Sequence, residues 1–492
     1  MHGCVLKNII KLCFNKHKRE EILLLRKEHQ EENLRIKHEY LLYSAIFLNT
    51  LIVVVNTSMF NVALPSIAVD FNLSPGASSL IVSSYSTVFA ISAVLYSKLS
   101  NSFQLKNLLT FGMLCLAVGS LLGMFSNAFY LLVLARVIQA AGASSISALG
   151  IIITTRYIPF YRRGAAMARV AAAVTLGFGL GPLLGGVITE YTGWENLFAI
   201  SILAILTIPV YQYLLPREAS FGKKMDVLGL LWLVGGIVSL LLLLATKNSL
   251  FIPGILCLWL FWKHIEKAET PFIQPDTLKN RTIAYLFGIV FMTFFINFAI
   301  MFVTPLLLVE IFQVTNVAKL GLILFPAAIL SSLASNLIGR AVDRFGAMKV
   351  ILAGICCLFL ATFSFSAFGY QSIVIVLIAF IIGSSGFVCI TTGVPNLISE
   401  HLPPDQANTA IGTLQLCQYI GGAFGVTISG LVLDQFALSK ALNPFWHHSG
   451  NEFSQAYLFL SLIAMFAGIL YYTLNKKQRS KNVPFQEVKK GC

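Results

Sequence analysis

Arg136 stands inside an apolar run, Leu131-Leu-Val-Leu-Ala-Arg136-Val-Ile-Gln139. A cation within such a run costs about 2.5–3.5 kcal/mol on membrane-insertion scales, so it requires a watery cavity or a partner. Gln139, one helical turn on, extends the polar side. Asn49 and Asn56 lie seven residues apart, hence on one helix face, and Asn297 and Thr304 repeat that spacing with Phe294 and Phe298 alongside. Amides beside aromatic rings suit a pocket for an amphiphilic organic molecule. The same groups also serve as interhelical hydrogen bonds, and the sequence leaves both uses open. Small residues form two ladders of four-residue spacing, Gly177, Gly181 and Gly185, then Gly421, Gly425 and Ser429. Such ladders bring helix backbones into close contact, and Pro182 within the first removes a backbone hydrogen bond and bends the helix.

These residues need long helices to hold them, and the composition supplies little else. Of 492 residues 57% are hydrophobic and only 11% charged, with a mean hydropathy of +0.79. Soluble domains carry about 25% charged residues, so a water-soluble globule is excluded. The formal charge of +14 is spread through the tails and short connecting segments, which argues against a nucleic-acid groove. No P-loop, no zinc spacing and no membrane-face cluster of His, Asp and Glu is present, so a nucleotide-driven pump and an enzyme are disfavoured, and no cofactor or metal is expected. The nine cysteines fall in spans or tails, so no disulfide is expected. The first span begins too far from Met1 for a signal peptide.

Stretches of about 20 apolar residues cross a hydrocarbon core as helix. Fourteen are predicted, the first at 41–63, the fifth at 164–188, the sixth at 195–215, the weak eighth at 249–265 and the last at 455–474. Placing the N-terminus in the cytoplasm puts 30 of the 35 Lys and Arg residues on the inside and three, Lys247, Lys319 and Lys440, outside. That obeys the positive-inside rule, with the loop of Glu400 and Asp405 as its one exception, so both termini are expected to be cytoplasmic. Arg136 and Arg169 remain within spans, and Arg169 lies close enough to a helix end to snorkel. Residues 1–40 read as a charged cytoplasmic tail whose stretch from Val5 to Arg19 suits either a lipid surface or plain solvation.

An internal repeat organises the spans. Asn101 after span 2 and Asp343 after span 10 are 242 residues apart, while Gly181 and Gly425 are 244 apart. The interval equals about eight spans, an even number, so the halves run parallel. The expected fold is an all-α membrane protein of 14 transmembrane helices, with two six-helix bundles in parallel repeat and two inserted helices. Its parts are a basic tail at 1–40, a bundle at 41–215, the inserted pair and linker at 216–282, a bundle at 283–474 and a tail at 475–492.

The layout and motifs resemble the major facilitator superfamily, in particular its 14-span drug:proton antiporters. Asn56 with Asn61-Val-Ala-Leu-Pro65 is similar to that group's first-span signature, Arg136 to Gly142 to its fourth-span motif, and Gly177 to Gly186 to its fifth-span antiporter motif. Arg156-Tyr-Ile-Pro159 with Arg163-Gly164 most resembles Gram-positive tetracycline exporters. The resemblance implies export of a small amphiphilic compound, an antibiotic among them, by alternating access with proton entry. It also implies a coupling role for Arg136, a leak-controlling bend at Gly177, Gly181, Pro182 and Gly185, and a conformational gate at Gly339, Asp343, Arg344 and Gly346. In the first-half copy of the gate Asn101 replaces the acid, and Ser97 and Gln104 replace glycines.

Proton coupling requires a group whose charge changes as access alternates, usually a shielded carboxylate. No Asp or Glu lies mid-span, which leaves Glu190, Glu310 and Asp434 at outer helix ends. Glu310 and Asp434 share their half with the intact gate and are the favoured pair, coupled to Arg136 through the cavity. The expected partners are a small-molecule substrate, protons and the lipid bilayer, with no nucleic acid and no obligate protein partner. An uncoupled facilitator, an importer of a native metabolite and a transporter-like sensor are the competing readings.

Overall fold

The computed structural model describes residues 39–100, 102–158, 160–216, 226–246, 249–268, 279–402, 404–436 and 450–481. The N-terminal tail to residue 38, Asn101, Arg217, Lys223, Lys224, Lys247, Lys440 and the tail from 482 lie outside the described residues. Every regular element among the described residues is helical. Thirteen helices are long and apolar enough to cross a membrane, and a shorter apolar segment, Ser249–Ile265, brings the number to fourteen.

Span 1 is Glu39–Asp70, followed by Pro75–Leu99, Leu105–Met124, Phe129–Tyr157 and Phe160–Thr192 as spans 2 to 5. The inserted pair is Val227–Thr246 and Gly254–Ile265. Spans 9 to 14 are Arg281–Glu310, Val317–Phe345, Ala347–Phe368, Ile373–His401, Pro404–Phe436 and Asn451–Lys481. Most run several residues past their apolar stretches, because polar caps rather than hydropathy fix the ends. Ser74 accepts from the Ala77 N–H at the start of span 2, Asn316 from Lys319 at span 10, and Ser372 from Val374 at span 12. Span 6, expected as one helix, is assembled from Leu197–Ile202, a 3₁₀ stretch Leu203–Thr207, and Ile208–Leu214. Pro209 is the cause, since it has no N–H to continue the ladder through the preceding turn.

Span 1 packs on span 5, span 4 on spans 2 and 3, and in the second half span 9 packs on span 13 and span 11 on spans 12 and 14. The two six-helix bundles meet along spans 2 and 13, spans 5 and 10, and spans 1 and 9. The repeat is close at the level of whole elements. Span 12 begins and ends 244 residues after span 4, and the in-helix prolines of spans 1 and 9, Pro65 and Pro305, are 240 apart.

The inserted hairpin lies against the seam of spans 2 and 13, through Leu233, Ile237 and Phe261 on one side and Ile91, Leu416 and Ala423 on the other. Its ends are tied by Asp226, which sits 2.7 Å from the His264 Nε2 and accepts from the Gly229 N–H. Leu114, Leu206, Leu333 and Ile378 are among many large apolar side chains left exposed. A lipid-immersed surface calls for such a belt. Because the spans alternate in direction, the turns at 71–74, 193 and 311–316 share one face, and the start of span 1 and the end of span 14 belong to the other. These are called the opposite face and the terminal face below.

Candidate functional site

Arg136 is 1% exposed, and three helices build its surroundings. Its Nη1 donates to the Asn56 Oδ1 of span 1 at 2.9 Å and to the Gln139 Oε1 of its own helix at 2.6 Å. The guanidinium plane lies between two rings, 4.0 Å from the centroid of Phe60 and 4.0 Å from that of Tyr85. Asn56 and Gln139 in turn donate to the Ser201 hydroxyl of span 6, at 2.5 and 3.3 Å, and Gln139 also donates to Ser120 at 3.0 Å. Among the described residues no carboxylate contacts the charge. Amide oxygens and ring faces hold it, each desolvated ring face contributing about 2 kcal/mol, against a desolvation penalty of several kcal/mol.

The other amide of that face also turns toward span 6. Asn49 donates to the Thr207 hydroxyl at 2.7 Å and the Tyr211 hydroxyl at 3.1 Å. These are interhelical hydrogen bonds, and the 3₁₀ stretch of span 6 presents Thr207 to receive one. The second-half pair divides. Thr304 bonds the Tyr457 hydroxyl of span 14 at 2.9 Å, inside the bundle, whereas Asn297 reaches only the Met301 sulfur at 3.8 Å.

Phe294 and Phe298 belong to a strip of rings that crosses between the halves. Phe294 meets Phe387 edge-on with centroids 4.9 Å apart, and both Phe294 and Phe298 approach Tyr419 of span 13, at 6.2 and 6.3 Å. Tyr419 packs at 4.5 Å on Phe89 of span 2, and Phe89 stacks at 6.0 Å on Tyr85, the ring that covers Arg136. Sequence reasoning missed Tyr85, Phe89, Phe387 and Tyr419. Their one local signal is the Tyr85–Phe89 pair at i, i+4, and only the packing of span 2 on span 13 brings in the rest.

A cavity of about 290 Å³ opens one turn beyond this strip, toward the terminal face, between spans 2, 4 and 13. Ala93, Ser97, Ala148, Ile152, Gly412 and Gln415 line it. Phe89 and Tyr419 stand one turn deeper along spans 2 and 13 than the lining residues Ala93 and Gln415. Through Phe89 they adjoin Tyr85, the ring over Arg136.

The ladder glycines lie flat on span 1: a Cβ on Gly181 would overlap the Ser58 hydroxyl, and one on Gly185 would come within 2.9 Å of the Met59 Cα. Span 13 repeats this against span 9, where Gly421 and Gly425 meet the Phe291 and Phe295 backbones. Pro182 stands inside span 5 with its carbonyl against Gly321 of span 10. At the terminal face Gly346 takes φ +86°, a conformation that favours glycine, and divides span 10 from span 11. Asp343 and Arg344 are exposed there, Arg344 resting 5.3 Å over the Phe345 ring.

The three carboxylates occupy the opposite face. Glu190 accepts from the Asn316 side chain and the Val317 N–H, both at 2.8 Å. Asp434 accepts from the Ser74 hydroxyl at 3.0 Å and the Gly76 N–H at 3.1 Å. Glu310 instead interacts with the carboxyl of Glu452 at the start of span 14.

Fourteen apolar helices, two parallel bundles of six and an inserted pair, with a central buried cation and a cavity between the halves, define a membrane transporter. The Major Facilitator Superfamily profile matches residues 46–426, and the chain belongs to that family. A Pectobacterium atrosepticum protein named for multidrug resistance, MdtD, is 26% identical over 78% of this chain and 84% of its own. The riboflavin transporter RibZ of Clostridioides difficile is 25% identical over 80% of this chain and 84% of its own. A bacterial homologue of the human lysosomal transporter Spinster, solved inward-facing and unoccupied, shares the fold at TM-score 0.65 with 14% identity, covering 89% of this chain and 97% of that one. The protein is therefore a multi-pass membrane transporter, and its family and structural neighbours are transporters rather than enzymes.

Proposed function

We propose that this protein exports a small amphiphilic compound bearing a flat aromatic ring, by alternating access, from a cytoplasm that holds both termini. One observation carries the reading: one turn from the lining of the terminal-face cavity the Phe89–Tyr419 ring pair bridges the two halves, and Phe89 stacks on Tyr85, the ring that covers Arg136. An apolar vestibule, a π surface and a buried donor suit a planar substrate with a polar edge. The resemblance to 14-span drug:proton antiporters supports export, as does the name of MdtD, and the name of RibZ supports a flat heteroaromatic cargo. The 30-to-3 distribution of cations supports cytoplasmic termini. In this cycle Asp343 and Arg344, exposed here, pin neighbouring helix ends when the terminal face closes.

Glu310 is assigned the proton, since two interacting carboxyls hold one proton between them more readily than none. The test is transport of fluorescent aromatic amphiphiles by inside-out vesicles under an imposed pH gradient. The expected outcome is uphill accumulation by the native protein, with only downhill exchange by Glu310→Gln. Gradient-driven accumulation by that variant at the native rate would remove Glu310 as the carrier, and no movement of any aromatic amphiphile would overturn the substrate class. A second reading, an uncoupled facilitator, draws on the absence of a carboxylate beside Arg136 among the described residues. Downhill movement alone by the native protein would establish it.

A further inference from the structure

Glu190 and Asp434 are 244 residues apart, and the residues they bind, Asn316 and Ser74, are 242 apart. These are the two intervals of the internal repeat, one for spans 5 and 13 and the other for spans 2 and 10. Each carboxylate sits at the end of one helix and binds the N-terminus of a helix in the other half. Each also receives a side-chain donor from that helix's own N-cap residue and an N–H from its first turn. One turn before each acid is a glycine where the two backbones touch. A Cβ on Gly186 would collide with the Val317 carbonyl and Gly321, and one on Gly430 would come within 2.9 Å of the Pro75 carbonyl and 3.0 Å of Ser79. Gly186 and Gly430 are again 244 apart, and Gly321 and Ser79 are 242 apart.

We infer that these are two copies of one latch, related by the repeat, which together hold the opposite face shut. A carboxylate at a helix N-terminus gains from unpaired N–H groups and from the positive end of the helix dipole. Here that gain is available only while the halves touch, because acid and helix end belong to different bundles. The glycine crossing sets the distance at which the acid reaches. Opening the opposite face must break both latches, so each biases the equilibrium toward the closed opposite face seen here. The two differ in setting: the inserted hairpin flanks the seam of spans 2 and 13, while among the described residues the seam of spans 5 and 10 has no such neighbour. The latch rests on the alternating-access reading only for its place in a cycle, since closure is measurable without substrate.

The test places spin labels, carried by unnatural amino acids, at exposed Thr192 and Thr315 on the opposite face of full-length protein in nanodiscs, and measures their distance distribution. Hydrogen bonds to a charged group are worth enough that neutralising one shifts a two-state equilibrium by about tenfold. Glu190→Gln and Asp434→Asn should each enlarge the long-distance population by about that factor, and the double variant by more than either. Gly76→Ala is a second route that changes no charge, because its Cβ would occupy the position of the Asp434 carboxylate. It should reproduce the Asp434→Asn shift. A distribution unchanged in the folded double variant and in Gly76→Ala would overturn the latch. A shift in distances without any change in transport would keep the latch and count against the transport reading instead.

Discussion

The two halves of this transporter keep one backbone and carry opposite chemistry. Span 12 matches span 4 end for end at an interval of 244, so the place of Arg136 is taken by Phe380 and that of Gln139 by Gly383. At the 240-residue interval of spans 1 and 9, Asn49 corresponds to Ile289 and Asn56 to Ile296. Every polar member of the first-half network from those two helices is apolar or absent in the second. The features that repeat are those that set helix separation: the small-residue ladders on spans 5 and 13, and the cross-half contacts of Glu190 and Asp434. Geometry was duplicated with the bundle, whereas the central side chains diverged, leaving a buried polar wall in the first half and an aromatic one in the second. In the proposed cycle that contrast would suit an amphiphile, which has one face for each.

The largest expected effect comes from removing the polar wall. Arg136→Ala leaves the Asn56 and Gln139 carbonyls unpaired in a buried site, at about 1–3 kcal/mol each, and is expected to abolish efflux while the protein still reaches the membrane. Arg136→Lys should recover only part, because a point charge cannot lie flat between the Phe60 and Tyr85 rings while bonding both amides. Efflux assays normalised to membrane-fraction protein check both. Normal efflux by Arg136→Ala would erase the contrast between the walls.

The duplicated geometry predicts paired effects of intermediate size. Gly181→Leu and Gly425→Leu each force a branched side chain between backbones in contact, and overpacking of this kind costs about 1–3 kcal/mol. Both should lower the detergent melting temperature by similar amounts and raise substrate-free proton leak in proteoliposomes. If only Gly181→Leu leaks, the fifth-span ladder has a role that its copy lost. The smallest effect is expected at the aromatic wall. Tyr419→Ala removes ring contacts worth about 0.5–1.5 kcal/mol each, raising KM for an aromatic substrate by roughly tenfold, whereas Tyr419→Phe stays near native. A KM unchanged in Tyr419→Ala would remove the ring from the transport path.

Much of this was legible in the chain itself. Hydropathy gives fourteen spans because hydrocarbon admits only internally bonded helices, and the repeat is legible because the glycine positions that permit backbone contact tolerate little else. Arg136 announces itself, since a charge in an apolar run demands compensation. Its compensation does not: Phe60, Tyr85 and Ser201 are unremarkable residues of spans 1, 2 and 6 until tertiary packing brings them together. The break in span 6 was missed because an apolar run conceals a 3₁₀ stretch, and hydropathy is blind to the hydrogen bond that Pro209 lacks.

The acids show the division most sharply. Sequence placed Glu190, Glu310 and Asp434 together as charges at outer helix ends and favoured Glu310 and Asp434 as a pair only because they share a half with the intact gate. Tertiary structure separated them, setting Glu190 and Asp434 on helix N-termini of the other half and turning Glu310 toward Glu452. Composition, periodicity and repeat spacing determine how many helices there are and how the two halves repeat, because those are properties of each helix and its surrounding lipid. Which side chain meets which across a gap of some 240 residues is decided only when the bundles dock, since that choice depends on contacts that no stretch of chain contains by itself.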